Sequence, residues 1–221
     1  MNDLAPSRRR KDLDRERERR VELLDAARAL FFQHGYRGTT MQQIASRAGY
    51  SKRTVYLDYL HKDELFISVC AEGLELLLGI LQRIPVDQLD TEVCIERFPD
   101  ALIGFSREHA EYFRMIFSEA TPAIMAACSE PLRQRVAALE RACLGTVVTL
   151  VERAMREGKI RQVDPWETAG VFVGASTGII LLTMGGSQTL FTRERLESLS
   201  RQAVQTLWRG VRREPDTPTQ Q

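Results

Sequence analysis

The chain has 221 residues, 43% of them hydrophobic, with 31 Lys and Arg against 30 Asp and Glu for a net charge of +1; this length allows one sizeable domain or two small ones. Charge is unevenly placed: residues 1–60 hold 13 Lys and Arg against 8 Asp and Glu, and residues 61–221 hold 18 against 22, which suits a nucleic-acid reader with a separate regulatory body. Cys70, Cys94, Cys128 and Cys143 are widely spaced with no Cys-x-x-Cys pair, and His34, His61 and His109 lack metal-ligand spacing; buried reduced thiols in a cytoplasmic protein are expected, with no metal, no cofactor and no disulfide framework.

Residues 1–16 read as a disordered arm with a basic cluster, Arg8-Arg9-Arg10-Lys11, which could follow phosphates or enter a minor groove or serve only as a solubilising tail. The N-terminus does not read as an apolar signal segment. From Arg17 to His34 the apolar residues Val21, Leu24, Ala27 and Phe31 recur at helical spacing, and Gly35 supplies the stop.

The stretch from Thr39 to Leu65 is the one around which the chain is organised. Thr40 and Gln43 form a Thr-x-x-Gln capping box. Met41, Ile44 and Ala45 follow on one helical face, and Gly49 ends the helix. Tyr50 crosses a turn, and Ser51 caps a second, short helix through Thr54, Val55 and Tyr56 to about Tyr59. Two short helices joined by a glycine-containing turn make a helix-turn-helix. Val55 and Tyr59 are expected inward, leaving Lys52, Arg53, Thr54, Tyr56 and Asp58 near the outer face, the kinds of group a major-groove reader uses. Lys62 opens a longer helix, whose first N–H groups together with Lys62 could seat a phosphate. Asp58 could accept from cytosine N4, or turn sideways to Arg53 or His61.

The run from Ala26 to Leu65 resembles the DNA-binding domain of the TetR (tetracycline repressor-like) family of transcriptional regulators. The matching residues are Ala26, Phe31, Gly35, Thr39, Thr40, Ile44, Ala45, Ala48, Gly49, Ser51, Thr54, Tyr56, Tyr59, Lys62 and Leu65, with Phe66 just beyond. The resemblance implies that Thr40 and Lys62 contact phosphates, and that Lys52, Arg53, Thr54 and Tyr56 face the groove or its walls. Asp58 and Leu60 depart from the pattern, where a neutral or aromatic side chain and a proline or glycine are more usual.

Helical patterns fill the remainder. One runs from Lys62 to about Arg83 with Leu65, Val69, Leu76 and Ile80 on a face, and Pro85 ends it. Further helices are expected over Thr91–His109, with Pro99 a kink or near the start, and over Glu111–Phe117. Others follow over about Pro131–Glu157, from Asp164-Pro165 to about Met184 with Gly185-Gly186 as the stop, and over Arg193–Arg212 with Thr192 as cap. Ala123–Cys128 could be a short helix or a loop, and Pro215 onward is a polar tail. Thr168–Thr192 has no charged residue. Its Gly and Ser content and its missing basic flanks argue against a membrane span and for a helix buried on all sides. Its glycines would let another helix approach, and with the last helix and the same pair from a second copy it would form a four-helix interface.

The expected fold is all-α: an N-terminal three-helix helix-turn-helix DNA-binding domain plus a C-terminal helical ligand-binding and dimerisation domain. Its parts are the arm 1–16, the reader 17–62, the helical body 63–213 and a disordered tail 214–221. Candidate DNA-binding residues are Thr40, Ser51, Lys52, Arg53, Thr54, Tyr56 and Lys62. Candidate lining residues for a hydrophobic small-molecule effector are Phe98, Leu102, Phe105, Tyr112, Phe113, Met125, Cys143, Thr146, Phe172 and Ser176, although each taken singly reads better as plain core. The expected partners are a double-stranded DNA operator, an effector and a second copy of the chain, with no membrane. The expected function is a ligand-responsive repressor; the alternative is an effector-independent DNA-binding adaptor. No nucleophile–base pair or phosphate loop suggests an enzyme.

Overall fold

The computed structural model describes residues 5–184 and 192–213. Among them are ten α-helices, a π-helical turn and one isolated antiparallel bridge, Ile160 to Arg212. The chain folds as two compact units: Met1–Gly73 with Arg114–Val136, and Leu74–Phe113 with Ala137–Gln221. The expected boundary at residue 62 therefore moves. The reader unit takes in the start of the long fourth helix and recruits a segment from mid-chain.

In the first unit, α1 (Ala5–Gly38) is broken at Gly35, whose φ of 68° and ψ of 178° are not helical. That backbone is glycine's alone, which is why the sequence signals a stop there. The helix begins at Ala5, so residues 5–16, read as an arm, are helical; the side chains of Arg8, Arg9 and Lys11 lie outside the described set. Its buried face is Leu23, Ala26, Ala27, Leu30 and Phe31, whereas Val21 is 59% exposed. The stripe is thus turned from the one expected through Val21 and Leu24. α2 (Met41–Ala48) and α3 (Lys52–Asp58) follow, and α4 (Lys62–Leu81) enters the core with Leu65, Phe66, Ile67 and Val69, all fully buried. Phe66 meets Phe31 and Tyr36 edge-on at ring distances of 5.1 and 5.0 Å. Burying each phenyl group contributes about 2–3 kcal/mol, and the edge contacts somewhat more. The π-helical turn Met115–Glu119, α7 (Pro122–Ala126) and the start of α8 (Glu130–Arg156) complete the unit. Thr121 caps α7 by accepting from the Ile124 N–H, which settles the 123–128 stretch as a helix followed by a turn.

In the second unit, α5 (Thr91–Glu108) starts on an Asp90 cap and runs through Pro99 without ending. Proline removes one helical hydrogen bond, but Ile95, Phe98, Leu102 and Phe105 are buried along the same helix and hold it. α6 (Ala110–Arg114) is a single turn that leads into the first unit. α9 (Pro165–Met184) begins where expected, with the Glu167 N–H donating to Asp164 at 2.8 Å. α10 (Leu196–Val211) packs on α9 and α5. The Gly185-Gly186 stop and the tail from residue 214 lie outside the described residues.

Three expected apolar faces are corrected. In α4 the second half buries Leu74, Leu77 and Leu81, while Leu76 is 41% exposed. The leucine-rich run offered several faces, and only packing chose among them. In α10 the buried residues are Leu196, Ser200, Val204 and Trp208, and Leu199, Ala203, Leu207 and Val211 are only half-buried. Most consequentially, α9 is not buried on all sides. Ala169, Phe172, Ser176, Ile180 and Thr183 face inward, and Val171 and Leu182 stand more than half exposed. A helix long enough to cross a membrane, and without charge after Glu167, thus rests on its own chain through one stripe.

All four cysteines are buried and reduced. Burial pushes every thiol up, Cys128 and Cys143 to about 11. Since the thiolate is the nucleophile, the folded chain should resist alkylation by iodoacetamide at pH 8 and react at four sites once denatured. Fast labelling of any cysteine in the native chain contradicts this packing.

Candidate nucleic-acid interface

The reading helix is assembled from its caps outward. The Thr40 hydroxyl accepts from the Gln43 N–H at 3.3 Å, and the Gln43 side-chain Oε1 takes the Thr40 N–H at 2.8 Å, completing the capping box of α2. Gly49, at φ 77°, closes α2 in the left-handed region. Ser51 then caps α3, accepting from the Thr54 N–H at 3.1 Å. α3 has seven residues, too few to persist alone.

Three side chains hold it. Val55 is fully buried and Tyr59 is 9% exposed, both inward as expected. The third is Asp58, and its partners are neither Arg53 nor His61. Its side chain is 2% exposed and pairs with Arg19 of α1 through two hydrogen bonds, 2.5 and 2.9 Å. Arg20 approaches the same carboxylate at 3.7 Å and donates to the Asp58 carbonyl at 3.3 Å. Its guanidinium also lies 5.6 Å from the centre of the Tyr59 ring. Hydrogen bonding to Asp58 raises the Arg19 pKa further above its already high value. A forked donor on a planar acceptor fixes angle as well as distance, so Asp58 orients α3 on α1 and is not on offer to a base. Tyr50, in the turn, donates to Glu22 of the same helix.

The outer face of α3 presents Lys52, Arg53, Tyr56 and Leu57 to solvent, with Thr54 half-buried. The Lys52 ammonium lies 5.8 Å from the centre of the Tyr56 ring. Leu57 is 74% exposed, and residue-type reasoning passed over it because a leucine reads as core. Its signal was positional: it follows outward-facing Tyr56 and precedes the locked Asp58. The Thr40 and Ser51 hydroxyls are exposed but already occupied in capping, Thr40 donating to Gln43 at 2.9 Å.

Lys62 is placed differently from a free phosphate seat. Its ammonium donates to the carbonyls of Tyr36 and Thr39 at 2.8 and 2.9 Å and lies 4.1 Å from the centre of the Tyr36 ring. Two of three donors are therefore spent inside the protein. Burial lowers its pKa, against the pull of Asp63. Tyr36 in turn donates to Asp63 at 2.5 Å, and burial with that bond pushes its phenol up to about 12. Arg28 pairs with Glu72 at 2.8 Å and Asp25 at 2.7 Å, also within the fold.

The residues expected to line an effector cavity are mostly core. Phe98 and Phe172 border a gap with Ile95, Val147, Leu150, Val151 and Val204 that holds only about 10 Å³, room for one water at most. Leu102, Phe105, Phe113 and Cys143 are buried without bordering it, and Tyr112 is half-buried. The Thr146 and Ser176 hydroxyls donate back to Cys143 and Phe172 carbonyls. Met125 falls in the first unit, apart from the other nine in the division of the chain. Among the described residues there is no group of His, Cys, Asp and Glu able to hold a metal ion.

Capped α2, a left-handed glycine turn and an anchored α3 with cations outward define a helix-turn-helix DNA-binding protein. Residues 23–69 match the family described as bacterial regulatory proteins, tetR family. The chain is 26% identical over 156 residues to the HTH-type transcriptional regulator YhgD of Bacillus subtilis, covering 71% of this chain and 79% of that one. It is 33% identical over 100 residues to the HTH-type transcriptional repressor SCO4008 of Streptomyces coelicolor, covering 45% and 48%. With the HTH-type transcriptional activator FasR of Mycolicibacterium smegmatis it shares 28% over 137 residues, 62% and 60% of the two chains. Its fold matches that of FadR from Bacillus subtilis, solved with stearoyl-CoA, at a TM-score of 0.66 and 16% identity over 86% of this chain and 98% of that one. Residues 23–69 thus form a DNA-binding domain of the tetR-family type, and the relatives that share it include both a repressor and an activator.

Replacing Asp58 with Asn keeps the shape but removes the charge that Arg19 and Arg20 answer. A charged hydrogen bond of this kind contributes about 2 kcal/mol, so urea unfolding of D58N should show an unfolding free energy reduced by about that amount and a correspondingly lower midpoint. An unchanged midpoint means that the pair does not orient α3.

Proposed function

We propose that this protein is a dimeric, effector-responsive repressor that reads a palindromic operator with two copies of α3. The observation that carries the reading is α3 itself: anchored on one side by Val55, Asp58 and Tyr59, and presenting Lys52, Arg53, Tyr56 and Leu57 on the other. Arg53 is suited to the O6 and N7 acceptors of guanine, and Leu57 to a thymine methyl group. Thr40, Ser51, Lys52 and Thr54 serve the phosphate walls beside it. Lys62 keeps one donor for a phosphate, and its larger effect is to hold the turn before α2. Two copies set about 34 Å apart, or a small multiple of that, would meet successive major grooves.

The open side of α9 supports the dimer. Gly170, Gly174 and Gly178 recur every four residues, and a Cβ built on any of them meets nothing within 4 Å in this chain. Each costs about 1 kcal/mol of helix propensity relative to alanine, with no return from packing inside one chain. Beside them Val171 and Leu182 are exposed, and the half-buried Leu199, Ala203 and Leu207 of α10 extend the apolar surface. A second copy covering this face would account for all of them through an isologous contact.

The effector of this reading is hydrophobic. The stearoyl-CoA complex of FadR offers one precedent in this fold. Here the apolar gap bordered by Phe98, Phe172 and Val204 is closed, so the effector would bind a minor, opened state and shift the population toward it. Repression follows from occlusion of a promoter by the bound dimer, with release on effector binding; the compartment is the cytoplasm.

Two measurements test this. In gel-shift titrations on an operator found by genomic footprinting, Arg53→Ala and Tyr56→Ala should each weaken binding by about 1–3 kcal/mol, roughly 5- to 150-fold, with unchanged helicity. If both bind as tightly as the parent chain, α3 is not the reader. In sedimentation velocity, the double substitution Val171→Asp and Leu182→Asp should convert a dimer into a folded monomer. A dimer that survives both charges places the interface elsewhere.

A further inference from the structure

A concavity in the reader unit is lined by no residue of α3. It occupies about 500 Å³ between the end of α1 and the segment Arg114–Ile124, with His34, Arg37, Arg114, Ser118, Glu119 and Thr121 in its walls. Ligand sites typically fall between about 300 and 1,000 Å³, so the space suits a metabolite-sized molecule.

The chemistry of the walls selects its charge. Glu119 is the acid among the lining residues, and it is already answered. It accepts the Tyr36 N–H at 3.1 Å and faces the Arg114 guanidinium at 3.3 Å. Arg114 also donates to the Phe31 and Phe32 carbonyls at 3.5 and 3.4 Å, which fixes it at the rim. Arg37 and His34 are exposed, and neither pairs with any other described residue. The Thr121 hydroxyl accepts from the Ile124 N–H, so its own proton stays available to a ligand. Ser118 adds a second hydroxyl, and the Ile124 side chain, buried, gives an apolar floor. The walls therefore offer hydrogen-bond donors and net positive charge, with their one carboxylate neutralised.

We propose that this concavity is a binding site for a small molecule carrying a phosphate or carboxylate group, separate from both the DNA surface and the apolar gap of the second unit. It carries a regulatory consequence by position. The site is lined by Gly35 and Tyr36, and the Tyr36 carbonyl holds Lys62 at the start of α4. An anion that shares the Arg114 guanidinium with Glu119 bears directly on the carboxylate that accepts the Tyr36 N–H. Ligand and operator then influence one another by a shared coupling, equal in both directions. Binding at this site is independent of the operator and the dimer, whereas its coupling to the operator rests on the function proposed above.

The test uses inorganic pyrophosphate and citrate as probes at constant ionic strength, added to the ¹⁵N-labelled full chain without DNA. The expected result is a saturable shift of the backbone amides of residues 34–37 and 114–121. Arg37→Ala should weaken it by ~5-fold, as for one lost exposed charge contact. Ser118→Glu, which places a carboxylate in the mouth, should abolish it. Arg53→Ala, on the DNA surface, should leave it unchanged. The proposal is overturned if neither probe gives a saturable response. It is equally overturned if the shifts centre on residues 40–56, or if they vanish in Arg53→Ala while persisting in Arg37→Ala.

Discussion

The reader unit depends on how the chain is held as it leaves α1. Gly35 breaks the helix, which leaves the Thr39 carbonyl to Lys62 and the Tyr36 carbonyl with a long 3.4 Å bond from the Thr39 N–H. A buried unanswered carbonyl is costly, and the Lys62 ammonium satisfies both while resting on the Tyr36 ring. From the other side Glu119 takes the Tyr36 N–H. One four-residue turn is thus tied to α4 and to a segment more than 80 residues downstream. The position of α2, and through it α3, follows from that arrangement.

The second constraint is economy in α3. Seven residues give less than two full turns, and the inner surface spends Val55, Asp58 and Tyr59 on attachment. Apolar burial alone would let so short a rod pivot, because hydrophobic contact has no direction. The Arg19–Asp58 fork supplies the direction. The departure from family pattern at Asp58 is therefore matched by a particular arginine in α1, and the two residues make sense only together.

Much of this was legible in the residues themselves, and the reasons are local. Capping boxes, left-handed glycines and proline starts act within four residues, so Thr40, Gly49, Ser51 and Asp164 announced their helices correctly. The inward placement of Val55 and Tyr59 followed from helical period alone. What was not legible depended on contacts distant in sequence. Asp58 finds Arg19 across 39 residues, and Lys62 reaches back 26 to Tyr36. The faces of α4, α9 and α10 were misjudged because runs such as Leu76-Leu77-Leu78 offer several equivalent stripes. Choosing among these needs the neighbours. The effector candidates illustrate the same limit: aromatic and Met content signals apolar interior, but cannot separate a filled core from a cavity.

The fork between α1 and the end of α3 bears on how such a regulator can change over generations. Orientation rests on Asp58, Val55 and Tyr59, and none of these is offered to solvent. Positions 52, 53, 56 and 57 lie outside that framework. In the function proposed above, substitutions there would explore new target sequences with the scaffold undisturbed, so binding preference could drift after gene duplication without each trial risking the loss of a folded protein.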